Sequence, residues 1–139
     1  MKSWSRAIAT FVVGYLIATA VGWSTFTQPT VMWVLTFTLM PLVFAGLAYT
    51  YFRGTKPNHG EARREAIRLI LFWIILSFVL DGLVFIGVIP LAFGAKPNWT
   101  FFVDQSPWIW LCYAALAPII FGGLYAYERH PQLATAGEA

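Results

Sequence analysis

Four apolar runs, residues 7–26, 31–52, 69–93 and 108–127, constrain this chain more than any other feature it has. Each is about 20 residues or longer, and a helix of that length, rising about 1.5 Å per residue, crosses the hydrocarbon core of a bilayer. A barrel strand needs only about 10 residues and alternates its two faces. These runs are apolar on every face, so helices follow, because a helix satisfies its own backbone hydrogen bonds in lipid. Composition closes the soluble alternative: of 139 residues, 59% are hydrophobic and 11% charged, against about a quarter charged in ordinary globular domains. The expectation is an all-α fold, a single domain over residues 1–139, built as a four-transmembrane-helix bundle with antiparallel up-down topology. Lys2 and Arg6 ahead of the first run, with Ala18-Thr19-Ala20 inside it, also resemble a cleavable secretory signal. Read from Met1, the segment is expected to be retained and to count as a span.

Charge sets the expected orientation. Lys and Arg fall at Lys2 and Arg6, at Arg53, Lys56, Arg63, Arg64 and Arg68, and at Arg129, while Lys96 stands apart in the remaining joints. The positive-inside rule therefore predicts both termini and the 53–68 loop in the cytoplasm, with the joints near Gln28 and Asn98 outside. In that loop Pro57 and Gly60 are breakers, and Glu61, Arg64, Glu65 and Arg68 are spaced for pairing along a helix. The third helix is thus expected to begin early, in water. Its charged run reads either as a topology anchor with self-satisfied charges or as a means of capturing anionic lipid or a partner's acidic tail. The net charge of +3 does not read as a nucleic-acid footprint, which needs a solvated basic face.

Small residues and prolines indicate how the helices meet. Gly14, Ala18 and Gly22 form a stripe at four-residue spacing that allows close approach, within this chain or at a homodimer seam. Pro41, Pro90 and Pro118 fall in three of the four spans and predict kinks. A proline lacks an N–H and displaces the carbonyl four residues earlier, which would free carbonyls at Phe37 and Ala114 near mid-membrane.

Asp81 is the one acidic residue in the four runs. It lies about 12 residues from either end of its run, hence near mid-membrane. An ionised carboxylate there costs about 2.5 to 3.5 kcal/mol on insertion scales unless a cation or water meets it. No Lys, Arg or His occurs in any run, and Arg68 stands about three and a half turns away. Desolvation makes the neutral acid, a donor as well as an acceptor, the expected form. Three roles are open. The carboxyl can bond across the bundle to a freed carbonyl near Phe37 or Ala114, to Thr36 or Thr38, or to Tyr113. It can titrate as a proton or cation site in transport. It can also pair with a cation from another subunit.

The joint at residues 95–110 crowds Trp99, Phe101, Phe102, Trp108 and Trp110 around Pro97 and Pro107, with Ser106 placed to cap the fourth helix and Pro107 in its first turn. Such aromatics form an interfacial belt or a docking surface for a partner or apolar ligand. Asn98-Trp99-Thr100 matches a glycosylation acceptor, relevant only in a eukaryotic secretory pathway. His59 and His130 both fall in expected cytoplasmic joints and Cys112 is alone, so no haem pair, metal cluster or redox dithiol is expected, and no cofactor. No Ser, His and Asp set shares a depth, and no Gly-rich phosphate loop follows a strand.

In length, span number and membrane-embedded acid the chain is similar to small multidrug-resistance transporters. Their essential glutamate lies in the first helix, where residues 7–26 here carry no acid, so that mechanism is not carried over. Leu80-Asp81, Pro97-Asn98, and Trp108, Trp110 and Tyr113 resemble an uncharacterised family of small four-helix bacterial integral membrane proteins, over the second half of the chain. That resemblance implies the bacterial inner membrane and no particular activity. The expected role is a partner or accessory subunit in the lipid bilayer, as a homo-oligomer or with another membrane protein. A small proton- or cation-linked transporter using Asp81 is the alternative. A lipid-modifying enzyme relying on Asp81 with Tyr hydroxyl or Trp indole donors comes third.

Overall fold

The computed structural model describes residues 1–25 and 27–129; Phe26, which ends the first apolar run, and His130 lie outside the described residues. The elements are α1 (Trp4–Thr25), α2 (Pro29–Thr55), α3 (His59–Asp81), a π-helical segment (Gly82–Val88), α4 (Ile89–Ala92), α5 (Phe101–Asp104) and α6 (Trp108–Arg129), with no strand among the described residues. The segment α3–π–α4 forms one rod, His59–Ala92, and this rod, α1, α2 and α6 are the four helices long and apolar enough to cross a membrane.

Local chemistry sets the ends. α2 opens on Pro29, whose fixed φ suits a first turn, and closes at Lys56, which turns left-handed (φ 44) and donates its backbone N–H to the Phe52 carbonyl. The chain then re-enters helix at His59, so the rod begins well ahead of the apolar run at residue 69. α6 starts at Trp108, directly after the cis Ser106–Pro107 bond. Pro107 therefore stands just ahead of the first turn rather than in it.

α1 and α2 form one antiparallel hairpin and the rod and α6 another. Across the bundle, however, the neighbours run parallel. The α2–α6 interface is the most extensive, and its contacts Trp33–Trp108, Ala48–Gly123 and Phe52–Tyr127 all differ by 75 in residue number. A Cβ on Gly123 would stand 2.7 Å from the Ala45 carbonyl oxygen and 2.8 Å from the Ala48 Cβ, so this approach requires glycine. The other parallel seam, α1 with α3, has far fewer close backbone approaches. It is bridged by side chains.

Of the α1 stripe, Gly14 takes a close contact with α2, where an added Cβ would meet the Phe44 ring at 2.7 Å and Leu47 at 2.9 Å. Ala18 is half-buried, and Gly22 has nothing within 4 Å of where a Cβ would be. The core contains Phe11, Tyr51, Phe52, Leu69, Trp73 and Ile120, all fully buried. It fills the half of the bundle nearest the charged loop.

Candidate functional site

Asp81 ends α3 where the helix widens into its π-helical segment. Its Oδ1 accepts the Tyr15 hydroxyl of α1 at 2.9 Å, and its Oδ2 accepts the Tyr113 hydroxyl of α6 at 2.6 Å. One carboxyl thus joins three helices. No ion pair reaches it among the described residues. Chemically the triad can hold a carboxylate through two donors, or a neutral acid that donates to one phenol oxygen.

Thr36 and Thr38 take a different place from the one sequence suggests. Their hydroxyls donate to Met32 and Val34 carbonyls one turn back on α2, the usual fate of a helical threonine. Tyr15 was not anticipated. It stands halfway along α1, at the middle of its span as Asp81 is of its own, and matching depths could have found it.

α2 and α6 continue as helix through Pro41 and Pro118. At Pro90 the carbonyl four residues earlier, that of Ile86, accepts the backbone N–H of Asn98 at 3.0 Å. A group that would otherwise lack its helical donor is therefore satisfied by the following joint, which folds back on the rod.

That joint covers the aromatic end of the site. Phe102 stacks on Phe78 with centroids 4.8 Å apart, and Phe101 on Phe85 at 5.0 Å. A Cβ added at Gly82, the first π-helical residue, would stand 4.0 Å from the Phe102 ring, in ordinary contact. Trp110 stacks on Phe102 and sits edge-on to Tyr113 at 6.0 Å, so the aromatic layer reaches the Asp81 triad directly. Trp108 packs instead across the bundle on Trp33 and Phe37, 6.0 Å from each. Trp99 points away, 79% exposed. π-helical turns within α-helices are frequent at functional sites.

A second carboxylate lies at the basic end. Glu65, 2% exposed, accepts the Tyr51 hydroxyl at 2.5 Å and the Lys2 backbone N–H at 2.6 Å, with Arg68 Nη1 3.7 Å from its other oxygen. Glu61 pairs with the Lys2 ammonium at 2.8 Å. The charged run is thus satisfied partly by the N-terminal residues rather than wholly within its own helix. The signal was available: Ala62, Glu65, Ala66, Leu69, Ile70 and Trp73 form a buried stripe at helical spacing, with Glu65 inside it.

Cys112, next to Tyr113, is a free thiol. Among the described residues no three His, Cys, Asp or Glu side chains gather as metal ligands. Fold and site together define an all-helical protein with four helices fit to cross a membrane and two tyrosine-bound carboxylates on one of them. No family model, curated protein or solved structure matches the chain.

Proposed function

We propose that this protein is a partner or accessory subunit that packs within a membrane and has no catalysis of its own. The supporting observation is the use made of Asp81: both its oxygens are engaged by Tyr15 and Tyr113, so the one carboxylate in the apolar runs fastens α1 and α6 to α3. Phe11, Leu69 and Trp73 fill the interior between this triad and the basic end, which suits a fastener better than a conduit. The clustering of eight of the nine Lys and Arg at one end supports cytoplasmic termini, and the resemblance noted above supports the bacterial inner membrane. Purification of the full chain in mild detergent without crosslinker tests the reading. A stoichiometric membrane-protein companion or a second copy is expected, and a lone monomer overturns it.

A second reading, proton- or cation-linked transport through Asp81, is favoured by one observation: the carboxyl carries no cationic partner among the described residues. Asp81→Asn separates the two. A fastener keeps assembly and phenotype, whereas a transport site loses activity while assembly stays intact.

A further inference from the structure

At the basic end, α2 and α6 each carry one arginine just beyond their apolar runs. Arg53 and Arg129 are both exposed, and neither takes part in an ion pair among the described residues. The Arg129 guanidinium lies over the Tyr125 ring, 4.4 Å from its centroid, a stacking that leaves the N–H edge free to donate. α2 contains no acid, and the one acid of α6, Glu128, has its Oε1 3.7 Å from His59 Nδ1 of α3.

Register sets the two arginines side by side. The contacts of the parallel α2–α6 seam differ by 75 in residue number, and Arg53 and Arg129 differ by 76. Each arginine stands seven residues, about two turns and hence on the same helix face, beyond an exposed glycine: Gly46 in α2 and Gly122 in α6. Tyr51 and Tyr113 reach inward from the same two helices to Glu65 and Asp81 of α3, so Gly46 and Gly122 lie on the opposite, outward side of the seam. Neither has anything within 4 Å of where a Cβ would stand, while Gly123 beside them brings the two backbones together. The outward side of the seam is therefore recessed, about 10 Å from the two arginines along the helices.

Depth narrows the occupant. Arg53 directly follows the apolar run 31–52, and Arg129 closely follows the run 108–127. In helices that cross a bilayer this is the level of the lipid headgroups, whereas Gly46 and Gly122 lie at the level of the acyl chains. Two guanidinium groups with no carboxylate between them match an anionic headgroup, and the recess beneath matches its hydrocarbon chain.

We infer that the outward side of the α2–α6 seam binds one anionic glycerophospholipid, its phosphodiester held between Arg53 and Arg129 and one acyl chain lying over Gly46 and Gly122. Guanidinium groups donate to phosphate oxygens in pairs, which fixes the headgroup as well as attracting it. A zwitterionic headgroup brings its own cation against the two arginines. The inference rests on the helices crossing a membrane, goes beyond the accessory-subunit reading and is independent of Asp81.

The test is native mass spectrometry of the full chain released from micelles containing equal amounts of phosphatidylglycerol, phosphatidylethanolamine and phosphatidylcholine with matched acyl chains. One phosphatidylglycerol per chain is expected to be retained in preference to the other two. Arg53→Gln and Arg129→Gln should each lower that preference by about fivefold, the scale of one basic residue at a lipid surface. Arg63→Gln removes the same charge from an exposed position on α3, outside the seam, and should leave the preference in place. Gly46→Leu and Gly122→Leu keep both arginines and fill open space, so each should weaken retention of phosphatidylglycerol by obstructing its chain. Equal retention of the three lipids by the wild-type chain overturns the inference. So does an equal effect of Arg63→Gln and the two seam arginines, which would mean a general attraction of the basic end. Full retention in both leucine variants overturns the seated chain. Millimolar glycerophosphoglycerol, which has no acyl chains, should not displace the lipid, and complete displacement overturns the lipid in favour of a soluble phosphodiester. The same spectra report the number of copies of the chain, so failure of the accessory-subunit reading is scored separately.

Discussion

The two parallel seams of this bundle are held by opposite means. Where α2 meets α6, small residues let the backbones touch: Gly123 faces Ala45 and Ala48 with no room for a methyl group. Where α1 meets α3 the helices stand further apart and are tied at intervals. The Lys2 amide bonds to Glu65, the Trp73 indole N–H donates to the Ala7 carbonyl at 3.2 Å, and the Tyr15 hydroxyl bonds to Asp81. The last two ties share an offset of 66 residues, so they also fix register. In lipid, helices gain no hydrophobic energy by associating, and close packing and interhelical hydrogen bonds are the means left to them. Here each seam relies mainly on one of the two.

The largest expected effect breaks the tied seam at its buried end. Glu65→Ala leaves the Tyr51 hydroxyl without its acceptor in a fully buried setting and removes the partner of Arg68, and should cost about 3 kcal/mol in reversible unfolding of the detergent-solubilised chain. A loss no larger than that of Asp81→Ala would show that the two carboxylates contribute alike, against the difference in their burial and charge partners.

Gly123→Ala probes the packed seam. The added methyl meets a backbone oxygen rather than a flexible side chain, so a loss of about 1 to 3 kcal/mol is expected from overpacking. Gly22→Ala is its control: with open space around it, the same change should be neutral or stabilise by up to about 1 kcal/mol through helix propensity. Equal effects at the two glycines, measured by thermal unfolding, would remove the steric account of the α2–α6 seam.

Asp81→Asn should be milder, about 0.5 to 1.5 kcal/mol, the range of interhelical hydrogen bonds in membranes. The amide still offers an oxygen to one phenol and an N–H to the other. Tyr15→Phe and Tyr113→Phe should each produce part of the Asp81→Ala loss, and double-mutant cycles with Asp81→Ala would measure the coupling. The smallest effects belong to Thr36→Val and Thr38→Val, within about 0.5 kcal/mol. A larger loss at either, together with coupling to Asp81, would mean that the threonine leaves its own helix for the carboxyl.

The legible part of the site was the part that stands out against its background. Asp81 is conspicuous because nothing else in the apolar runs is acidic, and Tyr113 was within the set its depth allowed. Glu65 was concealed among Glu61, Arg63, Arg64 and Arg68, where charge is ordinary. Only the stripe of Ala62, Leu69 and Trp73 reveals that it faces inward. The aromatic joint was legible as a cluster. That Phe101 and Phe102 would stack on Phe85 and Phe78, leaving Trp99 exposed, depends on the chain folding back to satisfy Ile86, which no local pattern states.

By itself the sequence determined the helical class and the four helices fit to cross a membrane, because run length and all-round apolarity are local properties that lipid reads directly. It also determined that a lone carboxyl must find partners at mid-helix. Only the tertiary structure decided that α2 would pair with α6, that Gly123 rather than Gly22 would sit at a close crossing, and that Asp81 would take Tyr15 and Tyr113 over Thr36 and Thr38. Those choices are made between groups 30 to 75 residues apart by fit and register. The apolar pattern is nearly the same on every face of every helix and does not distinguish them.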